Sequence, residues 1–467
     1  MSVGRNDSCL CGSGKKYKKC CLDKDEAARR QASLSRSPRV IPPAVARTPA
    51  SPIPRSPDPE KSPVSAIADA ILLDFDNADL DGKLRICRSA MDNPEFWDEE
   101  AATEMLDPLH EALAKAERRP EFELLVGHMR EQWPDVYRQI EHWVVPWLAE
   151  DALVAGARDS LRAHVGRMAD LAEKQIDIVS RFIAQLRWHG DLDLLVALRE
   201  RAWPTVRSSS DILSYAVDEF AHHGSKEIVF RALDRGEPVD DTSEAMTRVR
   251  AFFEEEPGPA FAARAATLAG TAKYLWTMQD LMLPAVAQRS DDEDSGSGET
   301  PAFEHVRDML DQFRAYVRVK WDVPWSRADM MASEIGAYLF RRAKGRLGPR
   351  LSMLERVVNK AKPPRPFPPP EHVLCPDAKT LDMFVGRYFS IFGSCPYQAK
   401  SLVEGLPLWL GFLRERGLVD DTRHGGGMAA LVETRRACVR LFEGMTDPAL
   451  HGSASVLTEK LAPRSGS

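Results

Sequence analysis

Apolar residues recurring at intervals of three and four fix most of what this chain can become. Leu80, Leu84, Cys87 and Met91 stand 4, 3 and 4 apart, and Met105, Leu106, Leu109, Leu113 and Ala116 repeat the pattern one segment later. Such spacing lines one face of a helix with 3.6 residues per turn. Ile140, Trp143, Val144 and Trp147 continue it, then Leu153, Ala157, Leu161, Val165, Met168 and Ala172, then Ile176, Val179, Ile183 and Leu186. Breakers recur at Asn93-Pro94, Arg119-Pro120, Trp133-Pro134, His189-Gly190-Asp191 and Trp203-Pro204. The reading is of helices of about 10 to 20 residues joined by brief turns. The period returns over 328–344 and 403–416, with Gly417 placed as a helix C-cap. No run alternates as a strand should. The expected fold class is all-α, built of helical hairpins. Trp97 and Trp133 lie 36 residues apart, but the tetratricopeptide pattern is missing. An irregular α-solenoid and an orthogonal bundle are both compatible with 65–289.

Proline divides what the helices build. From Ser35 to Val64 nine prolines fall in thirty residues with no hydrophobic period. Locked φ angles and missing donors make this a spacer expected to stay disordered and partly extended. The acidic, glycine-rich run Ser290 to Glu299 reads as a mobile loop, and Lys362 to Pro370 reads as a stiff connector. The expected organisation is a head at 1–24, a linker at 25–64, a helical-hairpin domain at 65–289 and an acidic loop at 290–300. A helical segment at 301–361, a proline-rich connector at 362–370 and a C-terminal helical domain at 371–460 complete it.

Charge follows the same division. Residues 1–64 hold 13 Lys and Arg against 6 Asp and Glu, whereas the rest of the 467-residue chain holds 50 against 64. A basic tail on an acidic body points to an acidic partner for the tail. The longest uncharged apolar stretch, Gly405 to Leu413, falls far short of the 18 or so residues that span a membrane. Met1 to Asn6 offers no apolar core for a signal peptide, so the expected location is cytoplasmic. No membrane partner is expected.

Chemistry concentrates in thirteen residues. Four of the eight cysteines lie there: Cys9, Cys11, Cys20 and Cys21. In a reducing compartment such a cluster is no disulfide framework, whereas four thiolates enclose a tetrahedral Zn²⁺ and close the site to solvent. Gly12 and Gly14 permit a tight turn after the first pair, and the eight-residue excursion brings Cys20 and Cys21 back to face it. So small a segment has almost no apolar core, so the metal must hold it together. Lys15, Lys16, Lys18 and Lys19 with Arg5 set five cations around one aromatic, Tyr17. Four thiolates and one Zn²⁺ leave a charge of −2, so these cations both neutralise the centre and face outward. A closed four-thiolate site has no open position for catalysis.

The run Gly4 to Cys21 closely resembles the SEC-C motif, the zinc module at the C-terminal end of the SecA translocation ATPase that also occurs at either end of otherwise unrelated bacterial proteins. The resemblance covers about 20 residues. It implies that Cys9, Cys11, Cys20 and Cys21 are the ligands. Ser8 and Leu10 stand where the family usually has proline. The resemblance further implies an acidic protein partner such as a SecB-like chaperone, or the ribosome, for Arg5, Lys15, Lys16, Tyr17, Lys18 and Lys19. The expected function is that of an adaptor whose zinc head recruits a helical body. Two alternatives stand beside it: an enzyme with its site in the helical body, and a nucleic-acid-binding regulator, since a basic knuckle with an aromatic can stack on bases and pair with phosphates.

Other resemblances fail on their residues. Gly12-Ser13-Gly14-Lys15 is not a phosphate loop, because Cys9 and Lys16 stand where glycine and Ser or Thr are required. His424-Gly425-Gly426-Gly427 has no G-x-S-x-G partner and reads as a turn between two helices. His222 and His223 read as surface or helix-end histidines. Cys87, Cys375, Cys395 and Cys438 read as buried small hydrophobes. Phe384, Tyr388, Phe389 and Phe392 read as the core face of one helix.

Overall fold

The computed structural model describes residues 63–91, 96–97, 101–174, 176–252, 268, 276–281, 301–343, 347, 372–390 and 393–451. The chain divides between Ser62 and Pro63 into two units. The head expected over 1–24, the linker up to residue 62, the acidic loop and the 362–370 connector lie outside the described residues.

Pro120 and Pro134, which read as breakers between helices, stand at such boundaries and open the next helix. Helix α1 (Pro63–Asn77) opens on proline, whose fixed φ suits a first turn. Helix α2 (Leu80–Ala90) is capped by Asp79, whose side chain accepts from the Gly82 N–H at 2.8 Å. A π-helical turn (Ala102–Leu106) runs into α3 (Asp107–Lys115), then come α4 (Arg119–Gln132) and α5 (Pro134–Val154), each with proline in its first turn. Phe75, Leu84, Met105, Leu109, Phe122 and Ile140 pack into one core between them. Helices α6 (Arg158–Asp170), α7 (Ile176–His189) and α8 (Leu192–Ser208) continue with α5 around Val165, Leu186, Leu195 and Val206. Helices α9 (Ser214–Asp234) and α10 (Glu244–Arg250) close on α8 through Ile228, Val249 and Phe252. Almost every helix of this series packs on the next.

The remainder is a bundle around one buried helix. Helices α11 (Pro301–Trp321), α12 (Trp325–Ala343) and α13 (Ala378–Val385) precede α14 (Pro396–Glu415) and α15 (Asp421–Phe442). Helix α14 contains the longest apolar stretch of the sequence, and Leu406, Leu408, Trp409, Leu410 and Leu413 on it are all fully buried. A helix apolar on every side belongs in a core, and α11, α12 and α15 surround it. Gly405 permits the α12–α14 approach, since a Cβ there would sit 2.9 Å from Met331 Cβ. Helix α7 packs on both α12 and α14, and α9 on α12, so the two helix sets share an interface. Phe230 of α9 stacks on Trp325 of α12 with centroids 5.6 Å apart. Gly190, at φ +81°, ends α7 where a Cβ would meet Pro324 at 2.8 Å.

The fold is all-α, with one short antiparallel bridge, β1 (Phe389–Ser390) to β2 (Gly393–Ser394), among the described residues. Several local expectations need correction. Leu153 to Ala172 is not one helix, because Gly156 at φ +69° ends α5 and α6 starts at Arg158. Pro204 lies inside α8 rather than after it. His424 to Gly427 lies inside α15, capped by Asp420, where Gly427 lets Leu410 approach to 3.0 Å of a would-be Cβ. Phe384, Tyr388 and Phe389 do not share a helix: α13 ends at Val385, and a 3₁₀ turn and β1 carry the other two. Cys395 is exposed, while Cys87, Cys375 and Cys438 are buried as expected. His222 and His223 stand mid-helix in α9, with His223 Nε2 3.7 Å from Glu219.

Candidate functional site

Where the two helix sets meet, the interface is ionic rather than apolar. Asp329 of α12 is buried, with its side chain 1 % exposed. It accepts from Arg314 Nε of α11 at 2.6 Å and from Arg187 of α7. Lys226 Nζ of α9 lies 4.0 Å away. Burial alone would push this carboxyl up, but Lys226, Arg314 and Arg187 hold it well below the usual carboxylate range. Beside it, Glu227 of α9 accepts from Arg199 Nε of α8 at 2.5 Å, with Arg187 Nε 3.6 Å from the same carboxylate. Arg199 also donates to Phe220 O at 3.0 Å and lies over the Phe220 ring. Asp311 of α11 pairs with Arg314.

A second polar cluster binds the end of the described chain. Asp447 Oδ2 accepts from His189 Nε2 at 2.8 Å, the Tyr397 hydroxyl at 2.8 Å and Gln185 Nε2 at 3.2 Å, and Oδ1 accepts from the Ala449 N–H at 2.8 Å. Burial opposes the charge, yet His189 and these bonds hold Asp447 down to about 2. The ionised carboxylate can only accept, so His189 carries its proton on Nε2. Lys400 Nζ donates to Leu450 O at 3.0 Å, Trp188 Nε1 to Ala449 O at 3.3 Å, and Arg119 to Thr446 O. Residues 446–450 are thereby clasped to α4, α7 and α14. One pocket beside the clasp, about 320 Å³, has Trp143, Trp147, Phe182 and Cys395 in its wall. Partial desolvation in this wall raises the Cys395 thiol, and Glu334 adds to the shift. On the other side a cleft of about 840 Å³ is lined by Glu117, Glu123, Asp151 and Glu443 against Lys115 and Arg119.

Every residue to which the sequence assigns metal or partner chemistry lies outside the described residues: Cys9, Cys11, Cys20 and Cys21, and Arg5, Lys15, Lys16, Tyr17, Lys18 and Lys19. Among the described residues no group of three or more His, Cys, Asp or Glu is placed to hold a metal ion. Sequence reasoning missed both buried polar clusters. Its signal was there in part: Glu227 and Asp329 sit among buried apolar residues, Ile228 beside the first and Ala328 and Met330 beside the second.

Comparison with known proteins bears on the head. The SEC-C family model matches residues 5–23, a span that contains all ten of those residues. This stretch carries the SEC-C motif. Over 26 residues the chain is 77 % identical to the protein translocase subunit SecA of Desulforudis audaxviator, covering 6 % of this chain and 3 % of that protein. Over 20 residues it is 85 % identical to UPF0225 proteins of Yersinia pestis and Yersinia pseudotuberculosis, covering 4 % of this chain and 13 % of theirs. The shared length is thus the motif alone, and the helical body falls outside it. No solved structure matches the chain. By donor chemistry the SEC-C cysteines fit a soft, tetrahedral ion: four thiolates in the pattern C-x-C-x8-C-C.

Proposed function

We propose that the SEC-C motif is a zinc knuckle, ligated by Cys9, Cys11, Cys20 and Cys21, that recruits the helical body to an acidic protein partner in the cytoplasm. The observation that carries this reading is the match of residues 5–23 to the SEC-C motif with all four cysteines in place. Zinc supplies structure here: bound thiolates fix the turn at Gly12 and Gly14 and present a rigid basic surface. Arg5, Lys15, Lys16, Lys18 and Lys19 provide attraction and orientation toward an anionic partner, and Tyr17 an apolar anchor. Recruitment works by effective concentration, since whatever the head holds is brought near the body on the same chain. The partner class is an acidic chaperone of the SecB type or the ribosome. No described helix is long and apolar enough to cross a membrane.

The test uses the full chain, immobilised, against purified SecB and against ribosomes. Replacing Lys15, Lys16, Lys18 and Lys19 together by Glu should weaken capture at least tenfold, as reversal of a steering patch does. Undiminished binding by that variant overturns the assignment of the basic surface. Retention on protein-free RNA with a steep salt dependence, and not on SecB, moves the reading to nucleic acid.

A further inference from the structure

One cation of the network lacks a hydrogen-bonded carboxylate. Among the described residues the set comprises Asp311, Asp329 and Glu227 against Arg187, Arg199, Arg314 and Lys226. Three carboxylates thus face four cations. Two further acids flank the set without reaching Lys226. Glu334 is engaged by the Tyr388 hydroxyl, and burial raises its carboxyl toward the neutral form. Glu219, largely exposed, lies 3.7 Å from His223, and His223, Arg199 and Arg187 hold its carboxyl below the ordinary value. Each arginine of the set donates to a carboxylate through its guanidinium. Lys226 differs: its nearest carboxylate oxygen is the one on Asp329, at 4.0 Å, beyond hydrogen-bond distance, and its side chain is only 20 % exposed. An ammonium so placed has lost most of its water without gaining hydrogen bonds from protein, which is costly. Burial accordingly lowers its pKa, against the pull of Asp329.

The amine is not sealed in. It opens on a cavity of about 410 Å³ between α9, α11 and α12. Arg307, Arg314 and His222 share the polar wall with it, and Asp311 is the one carboxylate lining it among the described residues. Apart from Ser333 the rest of the lining is apolar: Leu310, Ala332, Ala337 and Phe340. Gly336 keeps that wall close, since a Cβ there would meet Leu310 at 2.8 Å. A cavity lined by cations and by apolar side chains suits an amphiphile with a negative head.

We infer that this cavity is a binding site for a small organic acid, whose carboxylate pairs with Lys226 and whose apolar body lies against Leu310, Ala337 and Phe340. The ligand supplies the acceptor that the ammonium lacks. The site is independent of the zinc head, and it gives the body a ligand-dependent stability.

The test is thermal unfolding of the full chain, followed by circular dichroism, in sodium hexanoate against sodium chloride at equal ionic strength. Hexanoate should raise the midpoint by about 2 °C or more, and the rise should saturate, as ligand linkage requires. Hexylamine should give no rise. Two variants locate the effect. Lys226→Met should abolish the hexanoate response. Ala337→Leu should abolish it by filling the apolar side, with Lys226 untouched. A response that persists in both variants overturns the site. So does inorganic phosphate matching hexanoate, which would make the apolar wall irrelevant.

Discussion

Asp329→Ala is expected to destabilise the helical body by about 3–5 kcal/mol, the cost of breaking a buried ion pair by removing one partner. Arg187, Arg314 and Lys226 converge on this carboxylate from α7, α11 and α9. Without it, one buried and two half-buried cations from three helices face one another across the interface of the two helix sets. Equilibrium urea unfolding followed by circular dichroism at neutral pH is the check. A loss below about 1 kcal/mol would mean that water or other groups take over the carboxylate's role. The sign with pH also follows. Burial opposes ionisation and the cations win, so the folded-state pKa lies below the unfolded one. The stabilisation is present above the ordinary value of 3.8 and is lost as pH falls below it.

Asp447→Ala is expected to cost about 3 kcal/mol, because one carboxylate satisfies His189, Tyr397, Gln185 and the Ala449 N–H at once. Its loss leaves those donors partly buried and unmatched. It also loosens residues 446–450 from α7 and α14, so amide exchange there should rise before the body unfolds. The parent carries a pH signature that the variant lacks. The Asp447 carboxyl is held down from 3.8 to about 2. Its stabilisation of about 2 kcal/mol is complete above pH 4 and is lost as pH falls toward 2. Asp447→Asn should remove that share of the acid sensitivity between pH 4 and pH 2. An acid limb unchanged by the substitution would show that the clasp does not depend on the charge.

Much of this architecture was legible in the residues, and the failures have physical causes. The three-and-four spacing of Leu80, Leu84, Cys87 and Met91 named a buried face because burial of one stripe is what holds a short helix in place. Gly417, at φ +69°, ends α14 as the sequence suggested, since a left-handed C′ position favours glycine. Pro204 misled because its missing N–H breaks one bond of α8 without ending a helix that tertiary contacts hold. The glycines at 425–427 misled because local propensity reads them as a turn, whereas Asp420 caps the helix and Leu410 packs closely on Gly427. The ionic junction was not legible. Arg187, Glu227, Arg314 and Asp329 are scattered over more than 140 residues, and only the packing of α7, α9, α11 and α12 brings them together. The head is the reverse case: its four cysteines lie within thirteen residues, so local spacing alone carried the resemblance.

The central claim is that the head is a zinc-dependent recruiter, and metal analysis of the purified full chain tests it first. The parent should carry one zinc ion per chain, and a Cys20→Ser, Cys21→Ser double variant should carry none while its helical circular dichroism is unchanged. Capture of SecB or ribosomes should disappear with the metal. A parent without zinc, or a double variant that keeps it, would contradict the account at its root.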